Sequence, residues 1–367
     1  MERRVREAVE EAGNASSVHG AGRRARARLD AARAKVAALL GCDPREVCFT
    51  ASGSEAGALA VKGAYAAAVR KEPARRRVVL SAQEHPAVLG AARQMGECGA
   101  EVVEVRPGAE GRVDARAMLE AVDARTAVCS LMWANNETGV LQPVAGVARG
   151  CRERGARFHT DAVQAAGKVP VRMEEVGADL LSLSAHKFGG PAGAGVLVVR
   201  RGVEVEALVP GHQEWGRRGG SQDVLHAEAL ARALELASGE LAEVAARTGE
   251  LRDRFERLVL ERLGGVRVNG EGAPRVPNTS NLRFEGADGE ALLIALDLEG
   301  IRVSTGAACA SGSLSPSHVL LAMGLSSSQA HQSLRFSLGP EATCADVDRV
   351  VDALSRHLPA ARGVGPG

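Results

Sequence analysis

Seven short runs rich in Val, Leu and small residues alternate with longer Ala-, Arg- and Glu-rich stretches over the first 200 residues, and this alternation constrains the fold most. Parallel strands need crossover connections, and a helix between successive strands is the usual solution. The pattern predicts strands at 46–50, 77–81, 101–105, 127–131, 156–160, 180–184 and 195–199, together forming one sheet. Stretches 54–70 and 144–154 carry apolar residues at helical spacing. The expectation is a doubly wound α/β sandwich. From Gln222 to Leu263 the chain is amphipathic and has no strand signal. Beyond it, Pro274 and Pro277 break it into short pieces. This predicts a large α/β domain over 14–241 and a smaller α+β domain over 242–367, with 1–13 packing near the latter.

Composition narrows the function classes. Forty-six basic and forty-five acidic residues leave a formal charge of +1, and only 2% of residues are aromatic. No strong field and few stacking platforms are available for nucleic acid, so a small-molecule substrate is expected. The charged segment from Met1 to Glu11 lacks the apolar core of a signal peptide, and no later stretch is long and uncharged enough to span a bilayer. The expected location is the cytoplasm, away from membranes. The seven cysteines are scattered, with no metal-ligand spacing and no expected metal site. Most are expected to be small buried hydrophobes.

In open α/β sheets, ligands sit beyond the carboxyl ends of the strands, so the polar residues there are read together. Ala51-Ser-Gly-Ser-Glu55 follows the first strand and opens a helix, offering N–H groups and the Ser54 hydroxyl to an anion. Helix capping by Ser52 or Ser54 is the plainer reading. Asp161 follows the fifth strand and Lys187 the sixth. Pyridoxal phosphate requires such a pair, a lysine for its aldehyde and a carboxylate for its ring nitrogen. Either residue alone reads as a surface charge or an ion-pair member. The Gly189–Gly195 and Gly216–Gly220 clusters read as active-site loops. His85 is placed to cover a ring face or to cap a loop, and Asn136 and Gln164 supply amide groups. Arg335 offers a planar fork for a carboxylate. Cys309 lies in a small-residue segment expected to be mobile and exposed, a setting suited to a reactive thiol.

Seven motifs occur in one order: Gly-Ser-Glu at 53, Glu-His-Pro at 84, Asn-Asn-Glu-Thr-Gly at 135, Asp-Ala-Val-Gln at 161, Ser-Ala-His-Lys at 184, Ser-Thr-Gly-Ala-Ala-Cys at 304 and Ser-Leu-Arg-Phe-Ser at 333. As a set they resemble those of cysteine desulfurases, from about Gly13 to the end. The resemblance implies a class-V aminotransferase-like, fold-type I homodimer that uses pyridoxal 5'-phosphate to convert L-cysteine to L-alanine. Sulfur is left as a persulfide on Cys309. On this resemblance Lys187 would carry the cofactor, Asp161 would hold the ring nitrogen and His85 the ring face. Gln164 and Asn136 would serve the ring hydroxyl and substrate. Gly53, Ser54, Ser184 and His186 would bind the phosphate, Ser221 would reach the phosphate of the other subunit, and Arg335 would hold the substrate carboxylate. The Cys309 segment is similar to the longer-loop branch that serves iron–sulfur cluster assembly, which implies a sulfur-acceptor or scaffold protein as partner. A selenocysteine lyase or aminotransferase of the same fold, and a non-catalytic scaffold, are the alternatives.

Departures from the family pattern are specific. The family normally begins with a strand and an Asn-Ala-Thr-Thr-like segment, and this sequence starts after it. Ala15 stands for a usual proline, Gly57-Ala58 for Asp-Asn, Ala192 for lysine, Trp215 for arginine and Ser221 for threonine.

Overall fold

The computed structural model describes residues 13–305 and 315–363. Two compact units are present. Among the described residues, one comprises 13–105, 115–133 and 143–241, and the other 106–114, 134–142, 242–305 and 315–363. A split by sequence position alone misses the two short excursions, 106–114 and 134–142, which leave the sheet connections to join the second unit. Residues 1–12 and Cys309 lie outside the described residues.

The first unit is built on the seven predicted strands: β1 (Val47–Thr50), β2 (Arg77–Ser81), β3 (Glu101–Val105), β4 (Thr126–Ser130), β5 (Arg157–Asp161), β6 (Leu180–Ser184) and β7 (Gly195–Val199). Their order across the sheet is β1-β7-β6-β5-β4-β2-β3. Pairing is parallel except along β7, which runs against both β6 and β1. Strands β4, β6 and β7 are buried at every position, as expected where a sheet is covered on both faces. The helix Gly53–Lys71 packs Leu59, Ala60 and Val61 into a core shared with Val78, Leu80, Val128 and Leu197.

One boundary differs from the sequence expectation in a way that matters. Strand β5 continues through Asp161 and pairs it with Ser182 of β6. The sequence reading ended that strand at Thr160, because a carboxylate is unusual in a sheet interior. The long stretch from Gln222 is also two helices, Val224–Gly239 and Leu241–Arg262, interrupted at Glu240.

The second unit has a three-stranded antiparallel sheet, ordered β10-β9-β8, from β8 (Val266–Val268), β9 (Thr279–Phe284) and β10 (Ser333–Ser337). Helices Leu241–Arg262 and Cys344–Gly363 contribute Phe255, Val259, Val351 and Leu354 to its core, around Phe284 and Phe336. The Phe255 and Phe336 rings lie 4.8 Å apart. The cysteine expectation needs correcting. Cys48, Cys129 and Cys151 are buried, but Cys98 and Cys344 are exposed at helix ends, where position in the fold overrides residue type. No helix among the described residues is long and apolar enough to cross a membrane.

Candidate active site

Strands β1, β2, β4, β5 and β6 point the same way, so their carboxyl ends share one edge of the sheet. Thr50, Ser81, Ser130, Asp161 and Ser184 end these strands. Beyond that edge come the helix starting at Gly53, His85, the turn carrying Lys187 and the glycine loop entering β7. Four of the seven ordered motifs, with the glycine loop, therefore meet at one edge of one sheet, where such folds bind ligands.

Asp161 is buried at 7% exposure, with Oδ1 accepting from Val163 N at 2.9 Å. It makes no ion pair among the described residues, and burial pushes its carboxyl up to about 6, against hydrogen bonds from Val163 N–H and the Ser182 hydroxyl. A carboxylate held in this way lacks a cation, and a protonated pyridine nitrogen is one. Glu84 is also fully buried and faces Asp161. Its Oε1 accepts from Met132 N at 2.6 Å, and burial next to Asp161 holds its carboxyl well above the usual range. Burial beside a second carboxyl thus favours the uncharged form of Glu84, a feature its local sequence does not mark.

Lys187 lies exposed in a 3-10 turn, Ala185–Phe188, that directly follows β6. Beside it, Ser184 Oγ and His186 Nδ1 are 2.9 Å apart. Burial and the charges of Lys187 and Lys168 lower the His186 pKa, so the imidazole is neutral at pH 7. Ser52 caps the helix at Gly53 by accepting from Glu55 N, and Glu55 in return accepts from Ala51 N at 2.7 Å. This reciprocal cap leaves Ser54 exposed at the helix start, whose first N–H groups have no intrahelical acceptor. A Cβ at Gly53 would lie 2.8 Å from Val163 Cγ2 and 3.0 Å from Ser184 Cβ, so this position closes against Ser184 only as glycine. These features fit a phosphate and a pyridine ring. Gln164 Oε1 accepts from Lys168 Nζ at 2.8 Å, which fixes its amide. His85 begins the helix Pro86–Glu97, its Nδ1 accepting from Ala87 N at 3.1 Å. That bond orients the ring, so capping and a ring-covering role are compatible.

Ser221 is exposed on a loop fixed from below. Glu214 and Trp215 adopt left-handed backbone, φ 49° and 55°, which costs about 1 kcal/mol or more each for residues with side chains. Glu214 is held in a bidentate pair by buried Arg33, at 2.7 and 2.8 Å, and also accepts from Phe49 N and Gln222 Nε2. Arg33 lies between the Phe49 and Trp215 rings, 4.8 and 4.5 Å from their centroids. Tryptophan in place of the family's arginine therefore gains a cation to stack on, with Arg217 also 5.8 Å from its ring.

In the second unit, Arg335 on β10 donates from Nη1 to the Asn136 carbonyl at 2.7 Å. The neighbouring turn is tied by Asn135 Oδ1, which accepts from Glu137 N and Thr138 N. Asn136 Oδ1 is buried and has no hydrogen-bond partner among the described residues. An unpaired buried amide oxygen is costly, and a ligand donor would satisfy it.

The aminotransferase class-V family model matches residues 2–350. The cysteine desulfurase of Gluconacetobacter diazotrophicus is 44% identical over 361 residues, covering 98% of this chain and 89% of that protein. The chain belongs to the cysteine desulfurases. A solved NifS-like protein overlays this member of the family with a TM-score of 0.89 at 33% identity, covering 98% of this chain and 96% of that one. SspA in complex with cysteine overlays with a TM-score of 0.81 at 29% identity, covering 93% and 95%. The mainly parallel sheet and smaller α+β unit are thus those of fold-type I enzymes.

Proposed function

We propose that the protein is a pyridoxal-phosphate-dependent cysteine desulfurase that converts L-cysteine to L-alanine and takes the sulfur onto Cys309. What supports this is the placement of Asp161 at the end of β5 and of Lys187 just after the adjacent parallel β6, in a chain with the Gly53 cradle and 44% identity to a cysteine desulfurase. Bound cofactor supplies an electron sink for the charge developed at the substrate α-carbon.

The chain's own residues do the rest. Lys187 Nζ would hold the cofactor aldehyde, and its free amine would take the α-proton of the substrate. Asp161 holds the ring nitrogen, His85 covers the ring, and Gln164 and Asn136 bond the ring hydroxyl and substrate. Gly53, Ser54, Ser184 and His186 bind the phosphate, and Ser221 reaches that of a second copy in a homodimer. Arg335 clamps the substrate carboxylate through a fork already held by the Asn136 carbonyl. Cys309 Sγ, as thiolate, attacks the substrate sulfur. The carbon–sulfur bond breaks with its electrons to carbon, which is protonated to alanine, and Cys309 retains a persulfide. That sulfur is passed, in the cytoplasm, to an acceptor or iron–sulfur scaffold protein.

The experiment is turnover of L-cysteine by protein loaded with pyridoxal phosphate. Alanine and, with a reductant, sulfide are expected in equal amounts, with a visible absorbance band that Lys187→Ala removes. Cys309→Ser should abolish persulfide formation. Undiminished persulfide transfer in that variant, or faster turnover of selenocysteine or cysteine sulfinate than of cysteine, would overturn the assignment.

A further inference from the structure

Three buried polar side chains on neighbouring strands stand behind Asp161. Ser130 on β4, His159 on β5 and Ser182 on β6 are each 0% exposed. Ser130 is in register with His159, and Ser182 with Asp161. His159 and Asp161 are two residues apart on one strand and share a face of the sheet. Ser130 Oγ lies 2.8 Å from His159 Nδ1 and His159 Nε2 lies 3.1 Å from Ser182 Oγ, and Ser182 stands in register beside Asp161, where its hydroxyl pulls the carboxyl down against burial.

The bonding fixes a direction. A carboxylate only accepts, so Ser182 donates its hydrogen to Asp161. The Ser182 oxygen then accepts from His159 Nε2–H. A neutral imidazole with its hydrogen on Nε2 has a lone pair on Nδ1, and this accepts from the Ser130 hydroxyl. Burial holds His159 neutral, down to about 3. Every donor in the row therefore points toward Asp161. Glu84 faces Asp161 as well, and burial beside Asp161 raises its carboxyl and favours its uncharged form.

We infer that Ser130, His159 and Ser182 form a one-way hydrogen-bond relay that keeps Asp161 ionised and fixed beneath the cofactor ring, making Ser182 and His159 positioning residues for the ring-nitrogen proton. The inference rests on Asp161 meeting the ring nitrogen. Its logic is electrostatic. Asp161 is buried and makes no ion pair among the described residues, so an oriented row of dipoles is what compensates its charge before cofactor binds. Reversing the row, with His159 protonated on Nδ1, would turn the Ser182 hydrogen toward His159 and leave Asp161 with one donor fewer.

Two measurements test it. In apoprotein carrying 15N-labelled histidine, the His159 ring should show the Nε2–H tautomer at neutral pH, and the Nδ1–H tautomer would overturn the relay. In protein loaded with pyridoxal phosphate labelled with 15N at the ring nitrogen, the unsubstituted chain should show a protonated-type signal. Ser182→Ala should move that signal toward the unprotonated position and lower turnover roughly ten- to a hundredfold, the effect of losing a hydrogen bond to a charged group. Ser182→Thr should restore both, and Ser130→Ala should move the signal less in the same direction. An unmoved signal in loaded Ser182→Ala overturns the relay alone. Should Ser182→Ala not fold, an unmoved signal in loaded Ser130→Ala does the same. Failure of the unsubstituted chain to take up pyridoxal phosphate overturns the cofactor assignment, and the relay with it.

Discussion

Arg33 and Glu214, 181 residues apart in sequence, form an ion pair whose side chains are 3% and 2% exposed. Removing one partner of such a pair leaves a buried charge uncompensated. Glu214→Ala should cost about 3–5 kcal/mol, read as a lowered urea midpoint. Because Glu214 also holds Phe49 and Gln222, the 214–221 loop should become protease-sensitive in the same variant.

Gly53 is a test of the phosphate cradle. Gly53→Ala puts a methyl group 2.8 Å from Val163 Cγ2, and overpacking of this kind costs about 1–3 kcal/mol. Pyridoxal-phosphate affinity should fall, since Ser184 must move. Fluorescence titration of the apoprotein measures it, and unchanged affinity would argue against a phosphate at this helix end.

Lys187 separates chemistry from folding. It is exposed, and substitutions of exposed side chains change stability by roughly 0.5 kcal/mol or less. Lys187→Ala should keep the unfolding midpoint of the apoprotein while losing the cofactor absorbance band and all turnover.

Two buried groups act oppositely on acid stability. His159 titrates near 6.5 when unfolded and near 3 in the fold, so its contribution is present at neutral pH and is lost as pH falls from about 6.5 toward 3. Asp161 titrates near 4 when unfolded and near 6 in the fold, so its contribution is full below about 4 and is lost as pH rises through 6. Urea midpoints of the apoprotein at about pH 7 and about pH 4.5 measure the sum. His159→Gln should reduce the acid loss, and Asp161→Asn should enlarge it.

Arg335→Lys keeps the charge but loses the planar fork. With Arg335 holding the cysteine carboxylate, the KM for cysteine should rise roughly tenfold or more, the weight of one charge-assisted hydrogen bond. Steady-state kinetics across cysteine concentration shows whether KM or kcat carries the change.

The sequence by itself determined the seven strands, their crossover helices and the order of chemical motifs, because these are written in local periodicity and in residue types that only a few chemistries require. It also placed Lys187 and Asp161 at strand ends, since strand length and small-residue turns are local properties. The tertiary structure decided what lies between strands. Nothing near Ser130 or Ser182 in sequence marks them as partners of His159, and ending the fifth strand at Thr160 hid the two-residue spacing that puts His159 on the face of Asp161. Glu84, Arg33 and Glu214 read locally as ordinary surface charges. Their burial follows from the packing of segments far apart in sequence, and it is burial that raises the Glu84 carboxyl and makes Arg33 with Glu214 a clamp. The excursions 106–114 and 134–142 were hidden for the same reason, since which unit a short segment joins depends on contacts far along the chain.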